Sequence, residues 1–146
     1  MNKIKVKIIA KDDSYIPIYA TLEAAGADLF AAIENKTVLE SGKSSLIPTG
    51  IFLEIPKGYE VQIRPRSGLA LNFQITVLNT PGTIDSDYRN EIKVILINHS
   101  DKPFIIEPKM RIAQMIVAPY FKADFFKTEV LEASLRREGF GSTGAY

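Results

Sequence analysis

Residues 79–91 read Asn-Thr-Pro-Gly-Thr-Ile-Asp-Ser-Asp-Tyr-Arg-Asn-Glu, a polar stretch between the apolar runs 75–78 and 92–97. Asp, Ser and Asn favour turns by bonding their own backbone, so the stretch reads as a hairpin link. Its tip would hold a carboxylate, a phenol and several free backbone groups, a common way for a rigid sheet to present a site. A second segment, Arg64-Pro65-Arg66-Ser67-Gly68-Leu69-Ala70, joins two guanidinium groups to a hydroxyl. If Ser67 caps a short helix starting near Gly68, the exposed N–H groups and bidentate arginines suit a phosphate. The bland alternative is a solvated strand end with an ordinary cap.

The C-terminal stretch Arg136-Arg137-Glu138-Gly139-Phe140-Gly141-Ser142-Thr143-Gly144 is a third candidate. Glycines let backbone N–H groups approach anionic oxygens, and Ser142 and Thr143 add hydroxyl donors. The lysine of a Walker loop is missing. Phe140 has no aromatic neighbour and could stack on a nucleobase; the alternative is a plain tail. Asp28, within Ala24-Ala25-Gly26-Ala27-Asp28-Leu29-Phe30-Ala31-Ala32, is enclosed by small and apolar residues. It needs either a neighbouring donor or water around a cation. Arg111 and Gln114 interrupt the apolar run 111–116, and a buried structural network would explain them equally well.

The chemistry open to the chain is bounded by what it lacks. The absence of Cys excludes thiol nucleophiles, disulfides and thiolate metal sites, and a single His, His99 in a turn-like run, disfavours a tight transition-metal site. A hard ion such as Mg2+, bound mostly through substrate phosphates, is compatible. A net charge of +1 gives no general affinity for nucleic acid or acidic membranes. The N-terminal residues contain no apolar stretch fit for a signal peptide or a membrane span, and the expected location is cytoplasmic.

The elements that must position these groups are short strands. Ile4, Val6 and Ile8 alternate with Lys3, Lys5 and Lys7, as the two faces of an edge strand. Ile51, Leu53 and Ile55, then Tyr59, Val61 and Ile63, repeat the period, and 104–106 and 112–117 follow. In 92–97, Ile92, Val94 and Leu96 recur at period two. Gly and Pro punctuate the runs, as in a sandwich or barrel. Segments 21–25 and 68–73 should make a turn or two of helix, and 128–137 has helical propensity. The 146 residues suit one domain, with a folded body over 1–121 and an arm over 122–146.

Taken in order, AGADLFAA at 25–32, RPRSGLA at 64–70, NTPGTIDSDYRNE at 79–91, RIAQMI at 111–116 and GFGSTG at 139–144 resemble the motifs of the homotrimeric dUTPase family. Each alone is weak; five in order are highly specific. The resemblance implies an all-β, antiparallel jelly roll (a β-clip barrel) with very little helix. It also implies a homotrimer with sites at subunit interfaces, where the flexible arm of one subunit closes a site built by the other two. The implied reaction is Mg2+-dependent hydrolysis of dUTP to dUMP and pyrophosphate, which limits uracil in DNA and supplies dUMP for thymidylate.

Carried over by motif position, Asp85 is the base that activates water for attack on the α-phosphorus. Tyr88 packs under deoxyribose and excludes a 2′-hydroxyl. Asn79, the backbone at Thr83 and Ile84, and the strand near Lys93 read uracil. Arg66, Ser67, Gly68 and Gln114 hold the phosphates, and Asp28 meets Mg2+ through water. Phe140 stacks on the base, with Ser142 and Thr143 over the γ-phosphate. The chain departs from the pattern where Leu135 stands in place of the arm arginine, with Arg136 and Arg137 as candidate substitutes. Asn90 stands where Gly is usual, a position whose left-handed backbone Asn tolerates. The rivals are a dCTP deaminase, disfavoured by Asp85 where a glutamate is needed, and a non-catalytic nucleotide-binding protein.

Overall fold

The computed structural model describes residues 3–136 with Gly139, Phe140, Thr143 and Gly144. Its strands are β1 (Lys7–Ala10), β2 (Ile18–Tyr19), β3 (Ala27–Phe30), β4 (Thr37–Leu39), β5 (Ser44–Pro48) and β6 (Ile51–Glu54). After β7 (Tyr59–Arg64) comes the one α-helix among the described residues, α1 (Ser67–Phe73), then β8 (Ile75–Val77), β9 (Gly82–Ile84), β10 (Lys93–Asn98), β11 (Phe104–Ile106) and β12 (Arg111–Pro119). Alternation forms them as expected: in β10, Val94, Leu96 and Asn98 are buried while Lys93, Ile95 and Ile97 face the other way.

The five-stranded sheet runs β2-β3-β12-β7-β9, a second runs β5-β10-β8, and β1-β6 and β11-β4 form pairs. Every ladder is antiparallel. Most neighbours are far apart in sequence, as β12 is from β3 and β4 from β11, which is jelly-roll connectivity. The sheets share one apolar core, with Leu29, Leu39, Ile51, Val61, Leu96 and Ile112 nearly inaccessible. Inside it, Asn98 is fully buried and fully bonded. Its Nδ2 donates to the carbonyls of Leu39 (2.9 Å) and Lys102 (2.7 Å), and its Oδ1 accepts from the N–H and hydroxyl of Ser100. That amide ties β10 to β4 and the turn after it.

Five expectations need correction. Residues 21–25 make a turn, closed by the Ala24 N–H donating to the Thr21 carbonyl at 3.2 Å, and no helix. The first strand starts only at Lys7 and lacks a clean buried face, with Ile9 71% exposed, because among the described residues β6 alone pairs with it. Residues 79–91 are not a simple hairpin tip. β8 and β10 do pair, but the link between them crosses to the other sheet, where β9 pairs with β7 (Val61 opposite Ile84), and then returns. Ser67 is the first residue of α1 rather than its cap; Arg66 is the cap and makes no side-chain capping bond. No helix forms in 128–136, where Val130, Leu131 and Leu135 are exposed. A short helix without a surface to pack on is marginal in water. No helix among the described residues is long and apolar enough to cross a membrane.

Candidate active site

The sheet crossing of residues 79–91 opens a cavity of about 610 Å³ between β9 and the start of β10. Asn79, Thr83, Ile84, Tyr88 and Lys93 all line it, over an apolar floor that includes Ile63, Val77 and Val94. Gly82 makes this close fit possible. A β-carbon there would lie 3.3 Å from Asn79 Nδ2 and 3.3 Å from Ile63 Cβ, tighter than side chains ordinarily pack. The cavity thus combines residues of β9 and the start of β10 with the Asn79 amide and the Tyr88 phenol.

Asp85 lies just beyond β9, in an adjoining cleft of about 410 Å³ with Glu60, Ser86, Asp87, Tyr120 and Lys122. Its carbonyl accepts the Tyr88 N–H at 3.1 Å, which closes the turn between the carboxylate and the phenol. Arg89 fixes the same turn by donating from Nη1 to the carbonyls of Ser86 (2.7 Å) and Tyr88 (3.1 Å). Asn90 does not adopt the left-handed backbone expected of it; positive φ outside glycine is confined, among the described residues, to Gln74, Lys109 and Phe140. The turn is held by Arg89 and needs no left-handed residue.

The anion-binding residues gather elsewhere, by sheet register. Gln114 on β12 stands opposite Asp28 on β3 and Arg64 on β7, so three polar side chains cross the sheet in one row. With Gly26, Arg66, Ser67 and Gly68 they line a cleft of about 410 Å³ whose one carboxylate is Asp28. Two guanidinium groups against that single acid favour an anion such as a phosphate chain. The Gln114 amide is fixed by donating Nε2 to the Pro65 carbonyl at 3.0 Å. Gly26 is the residue that leaves it room, since a β-carbon there would fall 2.1 Å from Gln114 Oε1.

Asp28 finds the neighbouring donors its setting requires. Its Oδ1 is 3.1 Å from Arg66 Nε and its Oδ2 is 3.2 Å from Arg111 Nη1. A carboxylate 8% exposed is thus paired on both oxygens, and Arg66 is aimed by it. Arg111 stood out in the sequence as a polar insertion, yet its pairing with a residue 83 positions away could be seen only in the fold. Among the described residues no group of three or more His, Asp or Glu side chains could hold a metal ion.

Among the described residues beyond 121, none lines the hairpin cavity or the anion cleft, and Lys122 lines the cleft of Asp85. Phe140 and Thr143 are exposed and line neither, and Ser142 lies outside the described residues. The hairpin cavity and the anion cleft share no lining residue within one chain.

This arrangement has close counterparts. The dUTPase family pattern matches residues 12–144. The chain is similar to the deoxyuridine 5'-triphosphate nucleotidohydrolase of Chlamydia pneumoniae, 61% identical over 132 residues, with 89% of this chain and 91% of that protein covered. It is similarly related to the protein of that name in Rickettsia prowazekii, 52% identical over 143 residues, covering 97% of each. In fold it resembles a Staphylococcus bacteriophage 80alpha dUTPase solved with dUpNHpp, at a TM-score of 0.84 and 22% identity, over 96% of this chain and 98% of that one. A phage phi11 dUTPase described with a structural Mg(II) ion superimposes at a TM-score of 0.78 and 18% identity, over 88% of this chain and 99% of that one. With the family pattern running through the hairpin cavity, the anion cleft and the arm, this chain belongs to the dUTPase family, an enzyme family.

Proposed function

We propose that this chain hydrolyses dUTP, carried as its Mg2+ complex, to dUMP and pyrophosphate. The observation that supports this most is the hairpin cavity, lined by Asn79, Thr83, Ile84, Tyr88 and Lys93, with Asp85 one turn from Tyr88 in the neighbouring cleft. Uracil enters the cavity and is read by the Asn79 amide and by backbone groups at Thr83, Ile84 and Lys93. A cytosine presents the wrong donor pattern to fixed backbone groups, and unpaired polar groups are costly to bury. The thymine methyl has no room beside the strands. Tyr88 packs under the sugar and collides with a 2′-hydroxyl.

Asp85 accepts a proton from a water as the water oxygen bonds to the α-phosphorus. The bond from that phosphorus to the oxygen bridging to the β-phosphate breaks, and pyrophosphate leaves. No covalent enzyme intermediate is needed, and the rate comes from positioning and charge neutralisation. Arg66, Ser67, Gly68 and Gln114 hold the phosphate chain, with the first two N–H groups of α1 free to donate. Mg2+ neutralises charge on the triphosphate. Asp28, already paired with Arg66 and Arg111, would meet it only through water.

A site split between two clefts that share no residue is completed when subunits associate, and a homotrimer supplies hairpin, anion cleft and arm from different chains. Phe121, Phe125 and Phe126, each at least 84% exposed in the isolated chain, are the surface such association would cover. In the closed site Phe140 stacks on uracil while Ser142 and Thr143 lie over the γ-phosphate. The test is a panel of dUTP, dTTP, dCTP and UTP with Mg2+, followed by product identification. Release of dUMP and pyrophosphate from dUTP alone supports this reading. Binding of dUTP without turnover would establish a non-catalytic nucleotide-binding protein instead.

A further inference from the structure

Glu91, at the end of the hairpin segment, is knotted into its surroundings more tightly than any side chain with an assigned role in the cavity. Its side chain is only 13% exposed, yet it carries a carboxylate. Oε1 accepts the Gly50 N–H at 2.9 Å, and both oxygens lie 3.2 Å from Lys11 Nζ. The Glu91 carbonyl in turn accepts the Tyr88 hydroxyl at 3.1 Å. The next residue is locked as well: Ile92 N–H donates to the Ile51 carbonyl at 2.9 Å, and the Ile92 carbonyl accepts from the Thr49 hydroxyl at 2.5 Å.

We propose that Glu91 is a positioning residue for Tyr88, setting the height of the phenol and with it the discrimination between deoxyribose and ribose. The inference rests on the proposed role of Tyr88 beneath the sugar. The chain of contacts runs from the turn joining β5 and β6, through the Glu91 carboxylate, along its backbone to the carbonyl, and so to the phenol. A carboxylate accepting a backbone N–H while paired with an ammonium is a strong, directional anchor. An exposed ion pair alone would contribute little; here the half-buried N–H bond from Gly50 carries the position and Lys11, 55% exposed, only supports it. Tyr88 itself is 37% exposed, so its ring is only partly held by packing and the hydroxyl bond to Glu91 adds a directional restraint. Steric rejection of one hydroxyl depends on sub-ångström placement of the wall, and a wall free to retreat stops rejecting.

The experiment measures kcat/KM for dUTP and for UTP in wild type, Glu91→Ala, Glu91→Asp and Glu91→Gln, with thermal unfolding as the control. Glu91→Ala should lower the dUTP/UTP ratio about tenfold, the scale of one group's worth of pocket discrimination. Glu91→Asp, one methylene too short to reach the Gly50 N–H, should lower it about threefold. Glu91→Gln keeps an oxygen for Gly50 and should stay within about twofold of wild type. A folded Ala or Asp variant with the wild-type ratio overturns the proposal, as does a Gln variant no better than Ala. Should Glu91→Ala not fold, Glu91→Asp decides alone. Wild type that releases no pyrophosphate from dUTP would refute the reaction, not the positioning; calorimetric binding of dUMP against UMP then gives the same ratio.

Discussion

Gly26→Ala isolates how the anion cleft is built. The residue is not among the positive-φ glycines, so alanine can adopt its backbone without strain, and the unfolded chain would be slightly less favoured. The added carbon, however, lies 2.1 Å from Gln114 Oε1 and 2.9 Å from its Cδ, while the Gln114 Cβ is at 3.3 Å. The amide has to move by about 1 Å to restore an ordinary contact. In doing so it gives up the 3.0 Å bond to the Pro65 carbonyl. A lost neutral hydrogen bond costs about 1 kcal/mol and mild overpacking about 1–2 kcal/mol, because the obstructing atoms are the movable end of a side chain. The melting midpoint should fall by roughly 6–10 °C and, if the amide faces the phosphates as proposed, kcat/KM by about ten- to a hundredfold. Thermal unfolding and pyrophosphate release measure the two. The decisive control is a double-mutant cycle with Gln114→Ala. Once the amide is gone, Gly26→Ala should cost less than about 0.5 kcal/mol. If it costs as much in that background as in wild type, the steric reasoning is wrong.

Asn98→Leu should destabilise the fold by about 1–3 kcal/mol, read as a lower urea midpoint, because it removes the buried bond to the Leu39 carbonyl and the half-buried bonds to the Lys102 carbonyl and the Ser100 N–H. An unchanged midpoint would mean that those groups find other partners. Acid should weaken the fold through Asp12 and Glu54. The hydroxyl and N–H of Ser14 hold the Asp12 carboxyl below its ordinary value, and the hydrogen bond and charge of Lys7 do the same for Glu54. A depressed folded-state pKa stabilises above the unfolded value and loses that contribution as pH falls through the folded one. Stability measured from neutral pH down through the carboxylate range should therefore fall less steeply in Ser14→Ala and Lys7→Met than in wild type, and slopes equal to wild type would contradict this. Both carboxylates are exposed, so the differences should be small.

The sequence exposed most of what repeats. The alternation of Ile92, Val94 and Leu96 marked β10, and the segment 79–91 divides between two clefts, with Asn79, Thr83, Ile84 and Tyr88 lining one and Asp85 the other. What it hid was set by long-range pairing. β3 is buried along its whole length, so Ala27, Asp28, Leu29 and Phe30 show no alternation to announce a strand. β9 is three residues long and turn-like in composition, and only its pairing with β7 moves it to the other sheet. Asp28 needed a partner on chemical grounds, but which of several arginines would supply it depended on β12 lying beside β3. The helical propensity of 128–136 could not act without a surface to pack on.

Asp85→Asn tests the proposed chemistry most directly, since the amide keeps the size of the carboxylate and removes its basicity. The variant should bind dUTP with Mg2+ about as tightly as wild type while single-turnover release of pyrophosphate falls by at least about a hundredfold. Turnover at the wild-type rate would remove Asp85 as the group that activates water.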